Sequence, residues 1–202
     1  MYFYITTSKS PHLVLRVFFY LEIAKQFPLA GVTTIRIMKE QQISFSYEEY
    51  DSINELNSAD AQLLHKARAT TKNAYAPYSH FNVGATALMQ NGFFVNGTNQ
   101  ENASYPVGIC AERVLLSSAS SQFPGEAIDA IAISYHNENG VNNRPISPCG
   151  ICRQSLAEYE ERQKQPIRLI LGGMEGKIII IPKASMLLPF GFGSEDLKKG
   201  KF

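Results

Sequence analysis

The chain has 202 residues, of which 45% are hydrophobic and 18% are charged, and its formal net charge is +1. This composition is that of one folded domain with some chain to spare, and no run of about 18 apolar residues is present that could cross a bilayer. Lysine and arginine are scattered apart from a short C-terminal cluster, so the sequence lacks the basic stripe that follows a nucleic-acid backbone. A membrane-spanning protein is excluded, and a small uncharged substrate is favoured over nucleic acid.

The first forty residues differ in character from the rest. Residues 13–24 are aromatic and apolar, but Arg16 and Glu22 interrupt them and no clear small-residue cleavage site follows, which argues against a signal peptide. Met38 then opens a segment that suits the start of a chain. We predict an extension outside the fold over residues 1–40, or a misplaced start, and a folded domain over residues 41–202. The alternative for the extension is a short helix packed on the surface.

Residues 58–75 are predicted to form the first helix of the domain. Ser58 opens an N-cap signal, and Leu63, Leu64 and Ala67 follow on one helical face. Pro77 ends the pattern, because the residue before a proline avoids the α region. Two strands over residues 83–89 and 93–95 come next, joined by Asn91-Gly92, which is the strongest short signal for a hairpin.

The second half of the chain alternates between helices and strands. Helices are predicted over residues 110–121 and 149–162, and buried strands over residues 127–135, 167–171 and 177–181. The last two strands are separated by only five residues, too few for a parallel crossover, so they are expected to be antiparallel. The pattern predicts a three-layer α/β/α fold with a mixed five-stranded sheet.

The three cysteines of the chain, Cys110, Cys149 and Cys152, cannot all pair as disulfides within it. Two of them form a Cys-x-x-Cys pair, which in a reduced compartment indicates metal or redox chemistry, and we read the cytoplasm as the location. Cys110 and Cys149 each open a predicted helix, where the helix dipole favours a thiolate. The alternative is a redox pair with a separate buried thiol.

A single zinc ion held by these three sulfurs would keep its fourth position open for water. A closed structural site needs a fourth ligand, and none of the four histidines stands at a finger-like spacing from the cysteines. Zinc in an open site activates water near neutral pH. Glu112, two residues after Cys110, is suited to carry protons, and Arg113 is suited to hydrogen-bond a ligand sulfur and offset the negative charge of three thiolates.

Five sequence blocks together resemble the cytidine deaminase family, in its compact branch with three cysteines. The resemblance runs from about residue 61 to the C-terminus. The blocks are Ala74-Tyr75-Ala76-Pro77-Tyr78-Ser79-His80-Phe81, Asn99-Gln100-Glu101-Asn102-Ala103-Ser104-Tyr105-Pro106, Cys110-Ala111-Glu112-Arg113, Ser147-Pro148-Cys149-Gly150-Ile151-Cys152-Arg153-Gln154, and Leu187-Leu188-Pro189 with Phe192-Gly193. Zinc deaminases of this class use a Cys₃ site and a glutamate that is not a ligand.

The resemblance implies an activity and a set of roles. It implies zinc-dependent hydrolytic deamination of free cytidine and 2′-deoxycytidine in pyrimidine salvage, with one Zn²⁺ per subunit and Glu112 as the catalytic residue. In the substrate site, Asn99 and Glu101 would bind the ribose 3′-hydroxyl and Phe81 would flank the base. The other implied substrate-binding residues are Asn102, Ala103, Tyr105, Ala111 and Phe192.

In the family, the segment around Ala103 and Tyr105 and the residue at Phe192 reach a neighbouring subunit's site, so a homotetramer is expected. The N-terminal extension departs from the family pattern. Two alternatives stay open from the sequence: a zinc deaminase acting on a blasticidin-like nucleoside or a nucleotide, and a zinc-stabilised interaction module without catalysis.

Overall fold

A mixed six-stranded sheet forms the centre of the fold in the computed structural model, which describes residues 39–197. The strands run in the order β1-β6-β5-β4-β2-β3, and only the β4–β5 pair is parallel. Their bounds are β1 Glu48–Tyr50, β2 Phe81–Met89, β3 Phe94–Thr98, β4 Ile128–Asn137, β5 Arg168–Gly172 and β6 Ile178–Ile181. The predicted hairpin and the antiparallel pairing of the last two strands are both confirmed.

Residues 39–197 form six strands, one edge strand more than the five that were predicted. Strand β1 has only three residues, and it pairs antiparallel with β6 through Glu48 opposite Ile180 and Tyr50 opposite Ile178. Two adjacent glutamates give no alternation of apolar and polar residues, so the segment carries no strand signal of its own. Its pairing is set by the exposed edge of β6 and not by local preference.

Three helices cover the two faces of the sheet, as predicted. They are α1 Ser58–Thr70, α2 Ala111–Gln122 and α3 Gly150–Gln163. Alternate residues of β4 point to opposite faces. Ala130 packs in the cluster that contains Leu63 of α1, whereas Ile131 packs in the cluster that contains Leu115 of α2 and Leu156 of α3. The fold is therefore three layers, with α1 on one side and α2 and α3 on the other.

Helix α1 differs from its prediction at both ends. Its N-cap is Asn57, whose side chain accepts a hydrogen bond from the Asp60 amide at 2.9 Å, one residue before the predicted signal. The helix ends at Thr70 and continues as a 3-10 turn over Thr71–Asn73. The predicted extension over residues 1–40 lies almost wholly outside the described residues. None of the helices within residues 39–197 is long and apolar enough to cross a membrane.

Candidate metal centre

Helices α2 and α3 begin at the same edge of the sheet. Strands β3 and β4 are both antiparallel to β2, so they point in the same direction, and each helix follows the carboxyl end of one of them. Cys110 is the N-cap residue of α2 and Cys149 that of α3, both with extended backbone and with no capping hydrogen bond from the side chain. Both sulfurs are thus free to bind another group.

The three cysteine sulfurs lie together, all within 4.8 Å of one another. The Sγ atom of Cys149 is 3.7 Å from that of Cys110 and 3.5 Å from that of Cys152. Sulfurs bound to one tetrahedral zinc at about 2.3 Å stand about 3.8 Å apart. The spacing and the thiolate chemistry of the three ligands therefore both fit a zinc ion.

The environment of the sulfurs favours a thiolate at Cys110. The neighbouring Cys152 thiol lowers the pKa of Cys110 to about 6, and the Arg113 guanidinium acts in the same direction. The resulting negative charge at Cys110, together with burial, raises the pKa of Cys152. A cation bound by the three sulfurs would neutralise the negative charge of their thiolates. The hydrogen bond predicted from Arg113 to a sulfur stays a prediction.

Glu112 lies beside the cysteines in the first turn of α2, and its residue is only 5% exposed. Burial raises the pKa of Glu112, while its backbone amide and the Cys152 thiol act in the opposite direction. A buried carboxyl group with a raised pKa is suited to general acid–base catalysis. The start of α2 thus places a candidate metal ligand, Cys110, beside a candidate acid–base group, Glu112.

The backbone of Gln100 connects the predicted sugar-binding residues to the metal centre. It exchanges two hydrogen bonds with Ile109, at 2.9 and 3.0 Å, and Ile109 precedes Cys110. On its other side, Tyr75 donates to the Asn99 carbonyl and accepts from the Glu101 amide. Three loop segments are therefore joined, and Asn99 and Glu101 are brought to the edge where the cysteines lie.

The side chains of Asn99 and Glu101 are held by the chain around the start of β2. Asn99 accepts a hydrogen bond from the Val83 amide and donates one to the Phe81 carbonyl, both at 2.8 Å. Glu101 Oε2 accepts from the Tyr78 amide at 2.9 Å. The Phe81 ring stacks on Tyr135 with 4.9 Å between centroids. The start of β2 thus holds Asn99, the loop before it holds Glu101, and β4 supports the ring of Phe81.

The remaining predicted residues are divided between the interior and the surface. Ala111 is fully buried as the first residue of α2. Asn102 accepts a hydrogen bond from the Ser104 amide in an exposed turn that also contains Ala103. Tyr105 is 76% exposed and Phe192 is 59% exposed. Their contacts with a second subunit stay a prediction.

The sequence analysis assigned no role to Arg153 and Gln154, which connect helix α3 to the C-terminal segment. Arg153 donates to the Pro148 carbonyl at 2.8 Å and to the Leu187 carbonyl at 3.2 Å. Gln154 donates to the Phe192 carbonyl at 2.7 Å. The sequence feature that could have indicated this connecting role is their position directly after the second cysteine of Cys-x-x-Cys.

The structure combines a three-layer α/β/α fold with three sulfurs and a buried glutamate at the starts of two helices. This combination defines the zinc deaminase class. The family model for the cytidine and deoxycytidylate deaminase zinc-binding region matches residues 57–165. A cytidine deaminase from Halalkalibacterium halodurans is 40% identical over 139 residues, which cover 68% of this chain and 98% of that protein. The chain belongs to the cytidine and deoxycytidylate deaminase family, and it is a hydrolytic deaminase.

Solved structures show the same fold. The crystal structure of cytidine deaminase from Burkholderia pseudomallei matches with a TM-score of 0.57 at 37% identity, over 68% of this chain and 100% of that one. A more distant relative is a blasticidin-S deaminase from Bacillus cereus, 28% identical over 126 residues, which cover 61% of this chain and 86% of that protein.

Proposed function

We propose that this protein uses one zinc ion per subunit to hydrolyse free cytidine and 2′-deoxycytidine to uridine and 2′-deoxyuridine, with release of ammonia. The observation that carries the proposal is the group of three sulfurs at zinc spacing beside the buried carboxyl group of Glu112. Cys110, Cys149 and Cys152 hold the ion, which supplies Lewis-acid activation of water when it is bound. A role in pyrimidine salvage in the cytoplasm follows from the same substrates.

Glu112 carries the protons of the reaction. It accepts a proton from the attacking water, delivers it to N3 of the pyrimidine as the C4–O bond forms, and then transfers the second water proton to the departing amino group. Water and cytidine are thereby converted to uridine and ammonia with no net change at the carboxyl group. The buried position of Glu112 keeps bulk water from competing for these transfers.

The contacts of Glu101 and Asn99 support a free nucleoside as the substrate. Glu101 accepts hydrogen bonds from two loop amides through Oε2, and a carboxylate has about four acceptor sites, so it can also accept from a sugar hydroxyl. A carboxylate in the sugar pocket repels a phosphorylated ligand. Within residues 39–197, strands β5 and β6 are joined by a short turn without a helix, unlike the nucleic-acid editing enzymes.

Exposed aromatic and apolar side chains near the centre support the proposed homotetramer. Tyr105 is 76%, Val107 59%, Phe190 95% and Phe192 59% exposed. Large apolar groups concentrated on short loops mark a protein interaction surface. In the proposed assembly they complete the substrate site of a neighbouring subunit.

A blasticidin-like nucleoside is the second candidate substrate, because the Bacillus cereus relative is named as a blasticidin-S deaminase. That relative is 28% identical to this chain, compared with 40% for the cytidine deaminase from Halalkalibacterium halodurans, so cytidine is the first candidate substrate. Both candidates use the same centre and differ only in the group attached to cytosine.

These assignments are tested by the loss of absorbance at the cytidine band. The zinc-loaded protein is mixed separately with cytidine, deoxycytidine, CMP and blasticidin S. Turnover of the first two is expected. Glu112→Gln should lower turnover by about 10²- to 10⁴-fold with zinc retained. Glu175→Gln, in the exposed β5–β6 turn, is the matched control and should behave as the wild type. Activity on CMP alone would overturn the substrate assignment, and zinc binding without any turnover would favour the interaction module.

A further inference from the structure

His80 has a left-handed backbone conformation in the loop before β2. Its φ angle is +55°, in a region that is uncommon for residues other than glycine and in which asparagine, aspartate and histidine are enriched. Two backbone hydrogen bonds of 3.0 Å fix it there, from the His80 amide to the Ala76 carbonyl and from the Glu138 amide to the His80 carbonyl. The backbone of the loop is therefore held on both sides of His80.

The His80 side chain adds a second contact with Glu138, which follows directly after β4. His80 Nδ1 is 3.2 Å from Glu138 Oε2, and the other carboxylate oxygen of Glu138 accepts from Asn82 Nδ2 at 2.9 Å. Glu138 therefore connects the loop to the first residues of β2.

The same loop holds the carboxylate of Glu101. The amides of Tyr78 and Ser79 donate to Glu101 Oε2 at 2.9 and 3.3 Å, and these residues immediately precede His80. The Ser79 hydroxyl, the two amides and the His80 charge all lower the pKa of Glu101. Among residues 39–197, the charged groups that face the imidazole are Glu138 from the end of β4 and Glu101 from the loop after β3.

We propose that His80 is a positioning residue for nucleoside binding: its contact with Glu138 fixes the loop that presents the Tyr78 and Ser79 amides to Glu101. Loss of this contact releases one attachment of that loop, so the sugar is bound more weakly. His80 acts through Glu101 and not on the reacting atoms, so the effect is on KM and leaves kcat unchanged. This inference rests on the proposed function, in which Glu101 binds the ribose.

The test compares KM and kcat for cytidine in the zinc-loaded wild type and three variants. His80→Asn tolerates the left-handed backbone but cannot pair ionically with Glu138, so its KM should be about two- to fivefold higher than that of the wild type, the range expected when an exposed ion pair is lost, with kcat unchanged. Glu138→Gln should do the same, and His80→Arg, which can pair with Glu138, should keep the low KM of the wild type.

His136→Asn is the matched control, because this exposed histidine lies on β4 two residues before Glu138. It should keep the wild-type KM. A wild-type KM in both His80→Asn and Glu138→Gln, or a fall in kcat in place of the rise in KM, would overturn the inference and leave the proposed function intact. A zinc-loaded wild type without turnover of cytidine would overturn the proposed function, and this inference with it.

Discussion

Gly97 of β3 lies directly against Ala111, the first residue of α2. A β carbon on Gly97 would stand 2.4 Å from the Ala111 carbonyl oxygen and 2.4 Å from the Leu115 amide nitrogen. Both neighbours are backbone atoms, which cannot rotate away. Close contact between strand and helix therefore sets the position of the helix start that carries Cys110 and Glu112.

Gly97→Ala should lower the free energy of unfolding by about 1–3 kcal/mol, because the helix must move to accept the methyl group. The same movement displaces Cys110, so zinc content should fall as well. Urea denaturation and metal analysis measure the two effects. Gly150→Ala is the control, since among residues 39–197 no atom beyond its chain neighbours and the backbone of its own helix lies within 4 Å of its β carbon position. Equal stability of Gly97→Ala and wild type would contradict this account of α2.

Two ion pairs of different burial should differ in their effect on stability. Arg168 binds Asp60 at 2.7 Å through Nη2 and 3.3 Å through Nη1, and the Asp60 side chain is 7% exposed. Asp60→Asn should lower the free energy of unfolding by about 1–3 kcal/mol, because the half-buried Arg168 guanidinium loses a buried charged partner. Glu49→Gln, which breaks an exposed pair with Lys177, should cost less than about 1 kcal/mol. Chemical denaturation of the two variants should show the difference, and the opposite order would refute it.

Each cysteine is expected to be necessary for zinc. Cys149→Ser and Cys152→Ser should each leave the purified protein with much less than one zinc per chain, because two sulfurs bind the ion far more weakly than three. Metal analysis by mass spectrometry measures the loss. Ser147→Ala, at an exposed position two residues before Cys149, is the control and should keep its zinc. Full zinc content in either cysteine variant would remove that residue from the ligand set.

The low pKa of Cys110 should be visible in its reactivity. In the metal-free protein the Cys110 thiolate forms as the pH rises through about 6, so the alkylation rate by iodoacetamide should increase between about pH 5 and 7. An ordinary cysteine thiol shows this increase near pH 8.5. Peptide mass spectrometry follows Cys110 separately from the other two cysteines. Zinc should suppress the reaction, and a midpoint near pH 8.5 without zinc would contradict the assignment.

Local sequence signals predicted the elements that have a strong pattern of their own. Apolar periodicity located α1 through Leu63 and Leu64, and Asn91-Gly92 located the hairpin, which the structure confirms. Helix starts at Cys110 and Cys149 were within one residue of those observed. Helices α2 and α3 each follow a strand, and these two strands point in the same direction. The fold class therefore also predicts that the two helix starts lie at the same edge of the sheet.

Contacts between distant segments could not be predicted in the same way. Glu160 resembles a solvated helix residue in sequence, yet it is 5% exposed and its carboxylate accepts from the amides of Ile167, Ala184 and Ser185. Strand β1 and the pairing of Gln100 with Ile109 likewise depend on partners far along the chain. The conformations of these residues depend on contacts with distant parts of the chain, which local sequence propensity does not predict.

The chain separation of Cys110 and Cys149 has a consequence beyond chemistry. They are 39 residues apart, and strand β4 lies between them. A zinc ion bound to both would close that long loop and lower the conformational entropy of the unfolded chain, as a covalent cross-link does. The metal centre would then also stabilise the fold, and protein molecules without zinc would be the first to unfold and be degraded.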